Sequence, residues 1–408
     1  MTHAVAEQPR SRRPRVTMLL ENDLYPEDVR VRDEAHSLVA SGYDVRVIAP
    51  RGPGQARRAR IDDVTVERYW LPMAKRGGAA GLLAEYAVAH VQLLVRGLRA
   101  LLRGADFLHS HNPPDTLFPL ALVAHARRRR FVFDEHDLFP SLFEQRFGRG
   151  PLWRIADFSN RMMIRNADIV VVTNRTHLAD ARRRRPHAET QIVLVRNGPR
   201  KSAVGDRPPE LRPGELTDPE LLYVGALEPQ DGVSQLPEIL ERLVVDHGLT
   251  GARMTIAGWG SELDVIRSDF ASRGLLDHVR LLGRTPHEEV LRLIASADIC
   301  VDPAPCNSFN HGTTMVKISE YLAFGRPTVS YALRETEHTA GGAVCLVPCN
   351  DQRAFVRRVA ELAWSEEART ELHRRAMSRV DELLWEHQAA NLIDAYDNVA
   401  RRAGLKPS

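Results

Sequence analysis

Short apolar runs recur along the chain, each closed by a polar or glycine-bearing loop and followed by a stretch of helical period. Arg15 to Leu20 (RVTMLL) reads as a buried strand, the next segment carries apolar positions at helical spacing up to Gly42, and DVRVIAP is a second strand. Strand, helix, strand at this spacing is a βαβ unit. Leu82 to Leu102 predicts one long helix. ADFLHSHNPP and RRFVFDEHD are strands running into loops, and ADIVVVTN and QIVLVRNG repeat the pattern. A Pro- and Gly-rich stretch then breaks it, and ELLYVGAL, ARMTIAGWG, HVRLLGRT, ADICVDPA, RPTVSYA and AVCLVP start it again. The fold class is therefore α/β, with two doubly wound parallel domains whose functional loops lie at strand C-termini. The expected organisation is a disordered lead over 1–14, a first domain over 15–200, a linker over 201–217, a second domain over 218–384 and a terminal helix over 385–408.

The most informative stretch runs from Gly312 to Ser330, GTTMVKISEYLAFGRPTVS. It predicts a short helix, a stop at Gly325, a turn at Pro327 and a β-branched strand start. Thr313 and Thr314 stand where an N-cap belongs, so the amides of Thr313, Thr314 and Met315 offer a seat for phosphate. Glu320 follows on the same helix face, placed to accept from a pair of sugar hydroxyls. Diphosphate at one end and ribose at the other outline a nucleotide-sugar site.

KISEYLAFGRPTV resembles the donor-site helix of the retaining family 4 glycosyltransferases, in particular a subset with TMxKIxEYxAxGxP; the loop ENDLYPEDVRVRDEA and the segment Gly225 to Val233 (GALEPQDGV) resemble that subset too. The resemblance implies GT-B architecture, with two Rossmann-like domains facing a central cleft, and a metal-independent transfer without cofactor from a nucleoside-diphosphate sugar, UDP- or GDP-linked. It assigns Glu320 to the ribose, and Gly225, Gln230, Gly258 and Arg284 to the donor's surroundings, with Glu335 on the nucleotide or the donor sugar. A Glu usual in the family eight residues before Glu320 is replaced here by Gly312, and a usual Arg and Lys by Ala226 and Asp231. Lys317 is the candidate to supply the lost charge on the diphosphate; an ordinary surface lysine is its other reading. His136, within the DEHD that ends a strand, matches a family His near the acceptor and the anomeric carbon. Beside carboxylates it would be partly protonated near neutral pH and could donate to a phosphate or sugar oxygen. His136 and Lys317 are thus the catalytic candidates. His111, Asn112, Asp115, Asp137 and Arg30 are the acceptor-side candidates, Arg30 having an exposed first helical turn as its alternative reading. A bonded core histidine is the plainer reading of His109.

Charge changes the picture in one respect. The chain carries 56 Lys+Arg against 53 Asp+Glu, but residues 1–200 hold 33 against 22. A basic first half suits an anionic acceptor or peripheral contact with a membrane surface, or is only a set of solvated arginine runs. The longest apolar run, Thr116 to Ala124, is too short to span a bilayer. The basic N-terminus lacks the apolar core of a signal peptide, which predicts a cytoplasmic or membrane-peripheral protein. No nucleic-acid partner is indicated. The four cysteines, Cys300, Cys306, Cys345 and Cys349, are expected as reduced thiols, their spacings being unusual for zinc.

Two enzymatic rivals remain open on the residues alone. A GT-B nucleotide-sugar 2-epimerase would share fold and donor. A metal-dependent hydrolase would use His109 and His111, which share a strand face, with the carboxylates of Asp134 to Asp137. The acceptor, either a small hydroxyl- or thiol-bearing metabolite or a cell-envelope glycan precursor, is not named by the sequence.

Overall fold

A computed structural model describes residues 12–71, 79–136, 138–184, 188–205 and 209–405. The chain forms two compact units. The first runs up to Thr173, resumes over His177–Val195 and takes in the chain from Ala389 onward; the second is Arg196–Gln388 with the short segment Asn174–Thr176.

In the first unit the strands are β1 (Arg15–Leu19), β2 (Asp44–Pro50), β3 (Arg58–Ile61), β4 (Val64–Tyr69), β5 (Phe107–His111), β6 (Arg130–Glu135), β7 (Ile169–Val172) and β8 (Gln191–Leu194). They lie in the order β3-β4-β2-β1-β5-β6-β7-β8. All neighbours are parallel except β3, which pairs antiparallel with β4 at the edge. No strand is expected from the sequence at β3 and β4, because β3 is half-exposed and in β4 polar Thr65 and Glu67 interrupt the buried Val64 and Val66, so neither gives a continuous apolar run. Central strands are buried along nearly their whole length, as parallel strands covered by helices on both faces must be. Phe107, Phe131 and Phe133 fill the layers above and below the sheet.

In the second unit β9 (Glu220–Val224), β10 (Arg253–Ala257), β11 (Val279–Gly283), β12 (Ile299–Asp302), β13 (Thr328–Tyr331) and β14 (Cys345–Val347) are ordered β11-β10-β9-β12-β13-β14. This is the 3-2-1-4-5-6 order of doubly wound nucleotide-binding sheets, whose strand order reverses between β9 and β12. Ligands of such sheets sit beyond the strand C-termini at that reversal.

The expected free linker is a packed part of the second unit. The guanidinium of Arg326 donates to the carbonyls of Pro209 and Glu210, Arg212 pairs with Asp298 at 2.8 Å, and Leu216 is buried. Its Pro and Gly content marks irregular backbone, which the sequence could not distinguish from a tether. The chain enters the second unit at Arg196, and the tail belongs to the first unit only from Ala389.

That tail helix, Trp385–Arg402, places the Tyr396 hydroxyl 2.9 Å from Nδ1 of His109, both fully buried. Tyr396→Phe leaves the buried imidazole nitrogen unpaired. We expect a loss of about 1–3 kcal/mol in denaturant unfolding; an unchanged midpoint at unchanged slope would contradict this account of the tail.

Candidate active site

In the second unit the candidate donor residues gather at the reversal point. The helix Val316–Ala323 begins after Met315, and no side chain caps its first turn. Its start is therefore later than the sequence suggested. Met315, not Thr313 or Thr314, is the N-cap, because Thr313 turns its hydroxyl back to the Phe309 carbonyl at 3.0 Å. The Thr314 hydroxyl is buried without a hydrogen-bond partner. Glu320 lies one turn into the helix, roughly 6 Å along its axis from the start. Burial pushes its carboxyl up to about 7, against the opposing pull of Lys317.

Lys317 is not a surface lysine. It is buried, with Nζ 3.3 Å from Asp302, 3.7 Å from Asp231, 3.0 Å from the Tyr223 hydroxyl and 4.3 Å above the Tyr223 ring. Burial alone would lower its pKa; Tyr223, Asp302 and Asp231 outweigh that and raise it. The same burial raises the Asp231 carboxyl, with Lys317 opposing. The expectation of a cation free to serve the diphosphate is corrected to one already balanced by two carboxylates.

Gly225 ends β9 with φ +140°, and a Cβ there would lie 2.9 Å from Lys317 Cε. Gly258 ends β10, where a Cβ would lie 1.8 Å from the Gly225 carbonyl oxygen. These glycines let the two strand-end backbones touch under the lysine. The Gln230 carbonyl receives the Asn310 amide at 2.8 Å, which ties that loop to the one before the helix. Trp259 and Arg284 are exposed at the ends of β10 and β11, Trp259 at 68%.

Glu335 departs from its expected role. It is fully buried, and its carboxylate accepts from the amides of Arg175 (3.2 Å) and Thr176 (2.8 Å) and from the Thr176 hydroxyl (2.5 Å), all within the second unit. Those bonds leave it a structural acceptor rather than a donor contact. The thiol expectation is also corrected. Cys306 and Cys349, on the loops after β12 and β14, form a disulfide, while Cys300 and Cys345 are free. A separation of 43 residues gave no hint that these loops meet.

In the first unit, register builds the site. His109 and His111 of β5 stand opposite Val132 and Asp134 of β6. The two imidazoles stack at 4.2 Å, and Asp134 Oδ2 lies 3.4 Å from His111 Nδ1 and 2.8 Å from His136 Nε2. Arg30 grips both Asp134 oxygens at 2.9 Å and lies 3.1 Å from Glu34. It is therefore buried and paired rather than part of an exposed first turn, and that reading of it is corrected. Burial would raise the Asp134 carboxyl, but Arg30 and His136 hold it well below its ordinary value. Burial raises Glu34 and lowers His109 and His111, which favours the neutral form of both imidazoles. Asn112 fixes the loop by accepting the His136 amide at 2.6 Å. Asp115 accepts from Asn160 at 2.8 Å, and the same Asn160 amide reaches Glu135 at 2.6 Å. Of these groups His136 alone is partly open to solvent; Arg30, His111, Asn112 and Asp115 are buried and form its support. Asp137 lies outside the described residues. Asn160, Glu34, Asp302 and Tyr223 were missed. A polar residue closing an apolar strand, as Asp302 does, was the available signal.

Glu34, His109, His111 and Asp134 lie close enough to surround a cation. Arg30 is already hydrogen-bonded or ion-paired to both carboxylates and supplies the positive charge they need. The donor set thus favours a guanidinium-neutralised cluster over a hydrolase metal centre.

Two doubly wound α/β units in one chain are the architecture of GT-B glycosyltransferases. The family description "Glycosyl transferase 4-like domain" matches residues 28–198, and "Glycosyl transferases group 1" matches residues 218–364. The chain belongs to the family 4 glycosyltransferases of GT-B architecture. It is 25% identical over 361 residues to a glycogen synthase of Mycobacterium tuberculosis (strain ATCC 25618 / H37Rv), covering 80% of this chain and 83% of that one. Sucrose-phosphate synthase from Thermosynechococcus elongatus shares its fold with TM-score 0.72 and 19% identity, over 96% of this chain and 100% of that one. A trehalose-6-phosphate protein from E. coli bound with UDP-2-fluoro glucose does so with TM-score 0.70 and 12% identity, over 97% and 100%. Among the described residues no helix is long and apolar enough to cross a membrane.

Replacing Lys317 by Met would leave Asp302 and Asp231 without their buried cation. We expect a loss of about 3–5 kcal/mol of stability, with partial recovery when Asp302→Asn is added. A single variant as stable as the parent would show that the lysine does not balance these carboxylates.

Proposed function

We propose that this glycosyltransferase moves a sugar from a nucleoside-diphosphate sugar, held by the second unit, to a hydroxyl- or thiol-bearing acceptor bound by the first, with retention and without a metal ion. The observation that carries the reading is the helix Val316–Ala323, with an uncapped start and the carboxylate of Glu320 one turn further on. Amides at such a start attract phosphate through unsatisfied N–H groups and the helix dipole. Glu320 at that distance suits the ribose diol. The exposed Trp259 offers a ring on which a base can stack. Because a fold neighbour binds UDP-2-fluoro glucose, a uridine donor is the first to test.

As the glycosidic bond breaks, negative charge grows on the β-phosphate. Fixed amides at the helix start stabilise it without reorganisation. His136, oriented through Nε2 by the ionised Asp134, is the group to hydrogen-bond the reacting oxygens. Asp134 itself is a poor nucleophile, since it is buried and bonded through both oxygens to Arg30. Attack on the face from which the nucleotide departs therefore suits this chain better than a covalent intermediate.

Two outcomes test the reading. A ribose diol donates to ionised Glu320, whereas the free protein holds a proton there up to about pH 7. Below that value binding must release the proton, so UDP affinity measured by calorimetry should fall by up to about tenfold per pH unit, and Glu320→Gln should flatten this part of the profile. A profile of the same shape in parent and variant would remove Glu320 from the ribose. His136→Ala should lower transfer by roughly 10²–10⁴ while UDP affinity stays unchanged. Mass spectrometry should show a sugar–acceptor conjugate; an epimerised donor formed without acceptor would instead favour the epimerase.

A further inference from the structure

The first unit contains a cavity of about 250 Å³, open on one side, that the reading above does not use. Its walls come from the helices Ala79–Leu102, Phe139–Phe147 and Pro151–Arg165 and from the loop after β5. Tyr86, Phe139 and Phe143 form its aromatic side: Phe139 and Phe143 pack at 4.7 Å, and Tyr86 stacks on Phe143 at 6.4 Å. Leu152, which packs with Phe139 and Phe143, and Ile155 add aliphatic lining, and Ile155 is 58% exposed. The polar edge is His90, whose Nδ1 lies 2.7 Å from the Thr116 hydroxyl.

Position gives this cavity its meaning. Pro114 and Thr116 line it, two and four residues after Asn112; Phe139 lines it three residues after His136. Asn112 and His136 are joined by the 2.6 Å bond that fixes the histidine loop. The two chain segments that hold His136 are thus the segments that wall the cavity. An apolar cavity of about 150 Å³ is enough to bind benzene, so this one accommodates a substituted or fused ring. Exposed apolar rims and aromatic walls of this kind favour planar apolar groups.

We propose that this cavity is the subsite for the apolar part of the acceptor, and that the acceptor is a small molecule with a planar, ring-bearing group beside the hydroxyl that receives the sugar. The inference rests on the reading of His136 as the reacting-side residue. A ring seated between Tyr86, Phe143 and Ile155 would leave its polar substituents at the His90–Thr116 edge, next to the loop that carries Asn112.

The probe is 7-hydroxycoumarin, a planar phenol whose fluorescence anisotropy reports binding to the full-length protein. Saturable binding is expected, weakened at least about tenfold by Ala87→Trp, which fills the cavity from an exposed helix position. Ile155→Trp, at the exposed rim, serves as a second blocking variant. Thermal unfolding and UDP calorimetry on the same samples separate the two ideas. Normal UDP binding with no coumarin binding, or coumarin binding indifferent to both variants, overturns the subsite and leaves the donor reading intact. Coumarin binding that both variants weaken, without UDP binding, supports the cavity and removes the donor assignment. Binding of the protein to phosphatidylglycerol vesicles that both variants abolish, with no affinity for coumarin in solution, would reassign the cavity to a lipid and overturn the proposal.

Discussion

The buried ammonium of Lys317 is the constraint around which the strand C-terminal end of the second unit is built. A lysine removed from water is tolerated only with compensating charge and hydrogen bonds. Asp302 at the end of β12, Asp231 in the loop after β9 and the Tyr223 hydroxyl supply them. Each partner comes from a different segment, so one cation fixes the relation of a helix, two strand ends and a loop. Glu320, one turn beyond, inherits its position from that arrangement. The first unit solves a similar problem with Arg30, whose planar fork meets both oxygens of Asp134 and so sets the imidazole of His136.

Both clusters separate support from action. The groups most buried and most completely bonded, Arg30, Asp134, Lys317, Asp302 and Glu335, are those whose rearrangement would cost most. The groups left partly open, His136, Glu320 and Trp259, are those that a ligand can reach. Many titratable residues near a site therefore do not imply many catalytic ones.

The sheet was largely legible in the sequence because parallel strands buried on both faces read as uninterrupted apolar runs, as at Phe131 to Phe133 and Val170 to Val172. The edge hairpin β3–β4 was not, since polar positions interrupt its apolar ones and leave no such run. The helix holding Glu320 was legible from Gly325 and Pro327 at its end, but its start was misplaced by the hydroxyl of Thr313, which bonds backward. Charge roles were the least legible. Arg30 and Lys317 look like ligand-binding cations in one dimension, and only long-range pairing shows the carboxylates that claim them. Asn160, which joins Asp115 to Glu135, sits in an amphipathic helix where nothing local marks it.

The contact between the backbones at Gly225 and Gly258 carries an evolutionary consequence. Any side chain at either position collides with main chain or with the lysine, so these two sites are closed to gradual change. Variation in what the second unit recognises has to enter through neighbours that point outward, such as Ala226 and Trp259, or through whole-loop replacement. Lineages diverging from this chain should therefore keep the strand ends fixed and drift in the residues beside them, so that a new ligand preference is reached by decorating an unchanged backbone crossing.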